Sequence, residues 1–341
     1  MVARILCAAS LAGMALTFSV AAKANEIEDF YKGKQVSLVV SSASGGGYDT
    51  LSRVVAKHIG RFIPGNPLIV VRNMPGAGGI VAINYLYNAA PRDGATFGQL
   101  QNTLPFEPVF GNKEAQYDST KFNWLGSASD ETGLLVVRKD APIETWKDLL
   151  KTEITIGAPA INSTPGFNTR LLSETLGLKL KLVVGYRGQN DVFLAMDRGE
   201  VDAFPTFWSS LVSTRPDWIR DKTVKMIMQY GPRREPAIKD VPFAPDLVTD
   251  PAKLQLLRTA AAPLALGRPF ALPPNVPPAH VAAMRKALAA TFEDAEYRSE
   301  AERIGVPANA PATGEQLQKV IEDVWNMPDT TRAQLLKING Q

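Results

Sequence analysis

Residues 36–50, with the sequence VSLVVSSASGGGYDT, constrain the fold more than any other stretch of the chain. The apolar run at 36–40 is typical of a buried strand, and serines and three glycines follow it. Tyr48, Asp49 and Thr50 then open a helical pattern whose apolar residues share one face. A strand that ends in a glycine-rich turn and a helix start directs several backbone N–H groups at one spot, which favours an anion there. The alternative is that the glycines only shape the turn.

The same order of strand, glycine-rich turn and helix start occurs again further along the chain. The run 68–71 predicts a second strand, and the segment 73–79, NMPGAGG, leads into a second helix. A third strand is predicted at 96–100. Strands that alternate with helices indicate a doubly wound open sheet, in which ligands lie beyond the carboxyl ends of the strands. If these strands are parallel, Asn102 and Thr103 lie beside the first glycine-rich turn.

A second α/β unit is predicted to begin near Asn123. Its strand at 154–158 ends in a turn that carries Asn162, Ser163 and Thr164 before a new helical pattern. Ser and Thr are favoured at the first position of a helix, where the hydroxyl accepts a hydrogen bond from a free N–H group. These residues therefore either cap the helix only or also bind a ligand.

The strand at 182–184 runs into a loop with Tyr186 and Arg187. A guanidinium at the carboxyl end of a strand can pair with a ligand carboxylate. The alternative is a solvated arginine or one that pairs with Asp191. Beyond this unit we expect an irregular segment at 231–245, a strand at 264–266, and helices at 279–292, 295–304 and 314–327.

The first 24 residues are expected to be a secretory signal peptide, because Arg4 precedes an almost entirely apolar run at 5–22 and small residues flank the cut after Ala24. No later run is long and apolar enough to span a bilayer. The one cysteine, Cys7, lies inside this peptide, so the mature protein is expected to have no disulfide. The 341 residues, 45% of them hydrophobic, are enough for two α/β domains.

Charge and motif content exclude several function classes. Removal of the signal peptide takes Arg4 and Lys23 and no acidic residue, so the formal net charge falls from +3 to +1. The basic residues are scattered, which argues against nucleic acid as a partner. The glycine turn lacks the Lys-Ser/Thr of a P-loop and the spaced glycines of a dinucleotide site. His58 and His280 have no neighbouring Ser or Cys in a nucleophile motif.

An enzyme remains the alternative from the residues alone. Asp49, Asp130 and Asp202 could in principle provide a carboxylate pair for a hydrolase or lyase. No stretch has the spacing of a zinc or calcium site. We therefore expect no metal and no cofactor.

Four segments together resemble one receptor family: SSASGGGYD at 41–49, NMPGAGG at 73–79, PRDG at 91–94, and the run at 186–203 with YRGQ and AMDRGEVDA. They are similar to the periplasmic solute receptors of tripartite tricarboxylate transporters, the Bug receptor family. The resemblance implies an α/β, two-lobed fold like that of periplasmic binding proteins (a type II flytrap) with doubly wound sheets. It also implies a small organic carboxylate ligand, a two-component membrane permease as partner, and a periplasmic location. A signalling receptor that presents its ligand to a sensor shares every motif.

The domain organisation that we predict is lobe 1 at 25–125, lobe 2 at 126–230, and a return to lobe 1 with C-terminal helices at 231–341. We expect a monomer. The family holds its carboxylate mainly through backbone N–H groups and small hydroxyls of two facing loops, and the sequence departs from the common pattern at 41–42 and 158–160. The predicted ligand-binding residues are Ser42, Ser44, Gly46, Gly47, Tyr48, Asp49, Gly78, Asn102, Thr103, Asn162, Ser163, Thr164, Tyr186, Arg187 and Asp202.

Overall fold

The computed structural model describes residues 26–161, 163–306 and 311–338. The expected signal peptide and Asn162 lie outside these residues. Two β-sheets flanked by helices form an α/β fold of two lobes, as the sequence predicted. Within the described residues, every helix is too short or too polar to cross a bilayer.

The strands belong to two sheets that follow one another along the chain, except that the last two strands return to the first sheet. The described strands are β1 Gln35–Val40, β2 Leu68–Asn73, β3 Thr96–Gln99, β4 Asn123–Ser127, β5 Gly133–Arg138, β6 Ile154–Ala158, β7 Leu180–Val184, β8 Ala203–Phe207, β9 Val224–Tyr230, β10 Phe270–Leu272 and β11 Ala312–Thr313. The order is β11-β4-β10-β3-β1-β2 in the first sheet and β7-β6-β8-β5-β9 in the second.

Helices connect the strands and cover both sheets. The described α-helices are α1 at 26–31, α2 Gly47–Ile59, α3 Ile80–Asn88, α4 Thr164–Leu176, α5 Gln189–Asp197, α6 Trp208–Thr214, α7 Pro216–Arg220, α8 Ala244–Leu247, α9 Pro251–Ala260, α10 Ala262–Ala265, α11 Pro278–Glu293, α12 Ala295–Arg303, α13 Gly314–Trp325 and α14 Asp329–Ile338.

Strand direction brings the functional loops to one edge of each sheet. β1 pairs in parallel with β2 and β3, so the turns that follow these three strands meet. In the second sheet β6 pairs in parallel with β7 and β8, with the same result. The remaining pairings, those of β4, β5, β9, β10 and β11, are antiparallel.

The structure differs from the sequence predictions at several places. The expected strand at 264–266 is wrong: α10 lies there, because the run is rich in the helix formers Ala and Leu with Pro263 in the first turn. The second unit was expected to begin near Asn123, but β4 pairs with β10 and β11 of the first sheet, and β5 is the first strand of the second. The helix α14 was not predicted.

Candidate functional site

A cleft of about 700 Å³ lies between the two lobes. Its walls are formed by the segments that follow β1, β2, β3, β6 and β7, together with residues of β8. This is the position, beyond the carboxyl ends of the strands, at which open α/β sheets bind ligands. The cleft is therefore the candidate functional site.

The structure brings most of the predicted residues to this cleft. Those that line it are Ser42, Ser44, Gly46, Gly47, Tyr48, Gly78, Ser163, Thr164, Tyr186 and Arg187. Asp49, Asn102 and Thr103 are buried and do not line the cleft. Asp202 lies elsewhere in the second lobe.

Asp49 shapes the first glycine-rich turn from behind. One of its carboxylate oxygens accepts hydrogen bonds from the Gly45 N–H and the Arg53 Nε, both at 2.9 Å, and the other accepts one from Asn73 Nδ2 at 2.8 Å. Burial raises the pKa of Asp49, but these hydrogen bonds outweigh burial and hold the pKa below its ordinary value. Asp49 is thus a charged anchor for the turn.

The turn presents the free N-terminus of α2 to the cleft. Gly46 precedes this helix and supplies no side-chain cap, so the first-turn N–H groups have no partner within the helix. A Cβ at position 47 would collide with the Ser210 hydroxyl of the other lobe, so any other residue there would have to displace this hydroxyl. The first turns of α4 and α5 and the 3₁₀ turn Ala77–Gly79 also line the cleft. Helix N-termini from both lobes therefore face one space.

Basic side chains contribute little positive charge to the lining of the cleft. Among the described residues that line the cleft, the basic one is Arg187, whose side chain is 90% exposed. Its Nε lies 3.1 Å from Asp191 Oδ2, so the pairing within the loop that the sequence left open is what the structure shows. Backbone dipoles are consequently the main source of positive potential in the cleft.

Ser163 acts as the cap of α4. Its hydroxyl accepts a hydrogen bond from the Gly166 N–H at 3.4 Å and donates one to the Ala160 carbonyl at 2.7 Å. These contacts use the hydroxyl for local structure. Ser163 therefore contributes to the cleft by fixing the conformation of the turn that lines it.

Thr164 connects the two lobes. Its hydroxyl lies 3.0 Å from the Thr103 hydroxyl and 3.4 Å from Asn102 Oδ1, both of which follow β3 in the first lobe. The Asn102 N–H also donates to the Tyr48 hydroxyl at 3.2 Å. Asn102 and Thr103 do lie beside the first turn, as expected from the parallel strands, but they support the wall from within.

Gln101 is a cleft residue that the sequence analysis missed. Its backbone N–H donates to the Ser41 hydroxyl at 2.9 Å, and its side-chain Nε2 donates to the Ser41 carbonyl at 3.2 Å and to the Gly78 carbonyl at 2.9 Å. The side chain therefore joins both glycine-rich turns of the first lobe. The signal available in the sequence was the position just after the predicted strand at 96–100. It led to Asn102 and Thr103, which follow Gln101 by one and two residues.

Asp202 is a correction to the predicted site. It immediately precedes β8, and its Oδ2 accepts hydrogen bonds from the N–H and the hydroxyl of Thr155, at 2.8 and 2.7 Å, at the beginning of β6. β6 and β8 run in parallel, so Asp202 lies at the end of the sheet opposite the cleft. Asp202 belongs to the run at 186–203 that resembles the receptor family, but its place in this run does not bring it to the cleft.

The three aspartates considered for catalysis each bind a different arginine. The pairs are Asp49 with Arg53, Asp130 with Arg233, and Asp202 with Arg138. Each carboxylate is therefore held by its own cation, and the arrangement does not resemble two carboxylates that share a proton.

A buried ion pair lies at the junction of the lobes. Arg268, between α10 and β10, is 1% exposed, and its Nε lies 2.5 Å from Oε1 of Glu131, which is 2% exposed. The same guanidinium donates to the Gly47 carbonyl in the first turn of α2 and to the Ser209 and Ser210 hydroxyls in the first turn of α6. Arg268 thus ties one wall of the cleft to the other. Burial raises the pKa of Glu131 despite the neighbouring cation.

A second cavity, of about 620 Å³, lies on the other side of this junction and includes Glu131 and Ser209 in its lining. Its charges are of both signs, and Arg233 there already pairs with Asp130 at 2.8 Å. Among the described α-helices, α6 alone contributes its first turn to the lining of this second cavity. The interlobe cleft is the better candidate for an anion.

One group of side chains has the composition of a metal site. A nitrogen of His58 and carboxylate oxygens of Asp294 and Glu296 lie within 4.8 Å of one another. Arg61 forms ion pairs with both acids, so a cationic side chain already binds these carboxylates.

Sequence comparison relates the chain to one receptor family and to two bacterial proteins. A model of the tripartite tricarboxylate transporter family receptor matches residues 51–329. A UPF0065 protein of Cupriavidus necator is 24% identical over 256 residues, which are 72% of this chain and 73% of that protein. A UPF0065 protein of Agrobacterium vitis is 28% identical over 193 residues, and the match spans only 52% of each chain.

Solved structures share the fold. The periplasmic binding protein BugD superposes with a TM-score of 0.73 at 21% identity, over 91% of this chain and 99% of BugD. MatC from Rhodopseudomonas palustris, solved with malate, has a TM-score of 0.69 at 19% identity, over 90% of this chain and 99% of MatC. Rpa4515 of R. palustris, solved with adipate, has a TM-score of 0.70 at 19% identity, over 90% of this chain and 97% of Rpa4515.

Proposed function

Because the chain belongs to the tripartite tricarboxylate transporter receptor family, we propose that it is a periplasmic receptor that captures a small organic carboxylate between its lobes and delivers it to a two-component membrane permease. One observation carries the proposal: uncapped helix N-termini of both lobes face the same cleft. Malate and adipate in two proteins of the same fold are both carboxylates, which supports this ligand class.

The geometry accounts for anion binding without a charged partner. A carboxylate at the first turn of α2 can accept hydrogen bonds from N–H groups that have no other partner in the helix. Hydrogen bonds to a charged acceptor contribute roughly 1.5–3 kcal/mol each. Three or four of them, less the cost of association, give micromolar affinity.

Closure of the lobes is expected to depend on ligand contacts to both walls. The ligand stabilises the closed state only by the difference between its affinities for the closed and open states. Since the uncapped N-terminus of α2 belongs to the first lobe and that of α5 to the second, a carboxylate ligand of suitable length contacts both. Capture and release leave the ligand chemically unchanged.

Binding can be tested with the chain from Asn25 onward. A thermal-shift screen against organic acids should find acids that raise the unfolding temperature, because a ligand of the native state adds stability. Titration calorimetry should give one equivalent per chain, and NMR should recover the acid unchanged. If no acid binds, or if the acid is consumed, the proposal is wrong.

The site can be tested with two charge variants on α5. Asn190 lines the cleft, whereas Leu194 is 52% exposed and does not. Asn190→Asp should weaken carboxylate binding about tenfold through repulsion at short range, and Leu194→Asp should weaken it much less because solvent and salt screen its charge. Equal losses of affinity in the two variants would contradict the placement of the binding site in this cleft.

Uptake of the acid by vesicles that contain the permease should require the receptor.

A further inference from the structure

The orientation of the Gln101 side-chain amide is fixed by its partners. Both hydrogen bonds of Nε2 go to carbonyl oxygens, those of Ser41 and Gly78. Because a carbonyl can only accept, the nitrogen must face these two oxygens, and the flipped amide would set oxygen against oxygen. The position of Oε1 follows from this.

Gln101 Oε1 is a free acceptor at the cleft wall. The side chain is partly exposed and lines the cleft, and Oε1 has no hydrogen-bond partner among the described residues. Neighbouring polar side chains differ: Thr206 donates to Gln189, and the Ser210 hydroxyl accepts from Arg268. A free carbonyl oxygen beside an anion site repels a carboxylate oxygen and attracts a donor.

The donor that suits this oxygen is a hydroxyl. An ammonium group in the cleft would need a counter-charge, since burial of an unpaired charge is costly. Asp191, the acidic residue of the described lining, is already paired with Arg187, and both oxygens of the buried Asp49 accept hydrogen bonds from the protein. A neutral O–H group needs only an acceptor.

We infer that Gln101 selects carboxylates with a hydroxyl on the adjacent carbon, that is, 2-hydroxy acids. The carboxylate binds the N–H groups at the start of α2, and the 2-hydroxyl donates to Gln101 Oε1. This inference rests on the proposed carboxylate-binding function and names the ligand class of the same cleft. Gln101 reaches the first turn through Ser41 and the second through Gly78, so its acceptor is held at the place where these turns meet.

The test compares acids that differ only in the 2-substituent. Malate and succinate, lactate and propionate, and mandelate and phenylacetate are titrated into the unmodified protein by calorimetry, with aspartate beside malate as the ammonium analogue. The hydroxy acid should bind about tenfold tighter than its partner in each pair that binds, the value expected for one net hydrogen bond. Equal affinities within the pairs, or aspartate tighter than malate, would overturn the inference and leave carboxylate binding in place.

Two variants separate recognition from support of the wall. Gln101→Met removes the acceptor and should abolish the preference for the hydroxy acid. Ser41→Ala removes one contact to the Gln101 backbone but leaves Oε1, so both acids should weaken equally and the preference should persist. If Gln101→Met weakens both acids equally, Gln101 is only a structural residue and the inference is wrong. If another organic acid binds in the thermal-shift screen but no hydroxy acid of this panel binds, the inference is wrong and the proposed function stands. If no organic acid binds at all, the proposed function fails and the inference with it.

Discussion

Replacement of Arg268 by methionine should destabilise the protein strongly. The substitution keeps an apolar stem but removes the guanidinium that binds Glu131, Gly47, Ser209 and Ser210, and it leaves the Glu131 carboxylate buried without a cation. Loss of one partner of a buried ion pair costs about 3–5 kcal/mol, because the other charge stays desolvated. We expect a loss of free energy of unfolding in that range, measured by urea unfolding with tryptophan fluorescence.

A double variant distinguishes the effect of the buried charge on stability from the effect of side-chain packing. Arg268→Met together with Glu131→Leu removes both charges, and replacement of a buried pair by apolar side chains is often nearly neutral. The double variant should therefore recover most of the stability that the single variant loses. A single-variant cost below about 1 kcal/mol, or a double variant less stable than the single one, would refute this reasoning.

The deficit of the single variant should also depend on pH. Burial raises the pKa of Glu131, and Arg268 opposes this rise. Without the arginine the folded-state pKa rises further above the unfolded value, so the folded variant binds a proton more readily than the unfolded chain, and its stability increases as the pH falls through this pKa. The difference from the unmodified protein should be smaller at pH 5 than at pH 7.5. A difference independent of pH would contradict the assignment.

Three further predictions concern the cleft walls. Gly45→Ala should lower ligand affinity, because Gly45 has φ +86° and a Cβ there would lie 2.8 Å from Asn190 of the other lobe; Gly33→Ala, with φ +73° and open space, is the control that should cost stability only. Ser163→Ala should cost about 1 kcal/mol of stability through the lost cap and leave affinity nearly unchanged, and a large loss of affinity in calorimetry would show direct ligand contact. Asp49→Asn should weaken ligand binding more than it lowers the free energy of unfolding. The pKa of Asp49 is lower in the folded than in the unfolded protein, so the carboxylate stabilises the fold fully above the unfolded pKa and loses this effect as the pH falls through the folded pKa. Acid titration of the unmodified protein and of the variant can follow this loss.

Local patterns in the sequence were sufficient to predict much of the fold. The run before Gly46 and the cap at Ser163 each mark a strand end and a helix start within about fifteen residues, and the structure has these elements there. Periodicity and capping act between neighbours in the chain, which is why such signals are readable. Phe270–Leu272 is a strand of only three residues, too short for a periodic pattern, and the prediction fell on the apolar run before it.

The parts of the site that were missed depend on distant partners. Arg268 and Glu131 are 137 residues apart, and Gln101 and Ser41 are 60 apart. Each of these residues is unremarkable in its local sequence, and its role follows only from the partner that the fold brings to it. Asp202 shows the reverse case, since it lies in a run that resembles the receptor family, while strand direction places it at the far end of the sheet.

The position of β10 has a consequence for the order in which the chain acquires its structure. β10 lies between β3 and β4 in the first sheet, yet its residues come after all strands of the second sheet. During synthesis from the N-terminus, residues 133–230 are therefore made before the first lobe can close its own sheet. We expect a truncated chain that ends at 269 to retain a protease-resistant second lobe while the first lobe is digested.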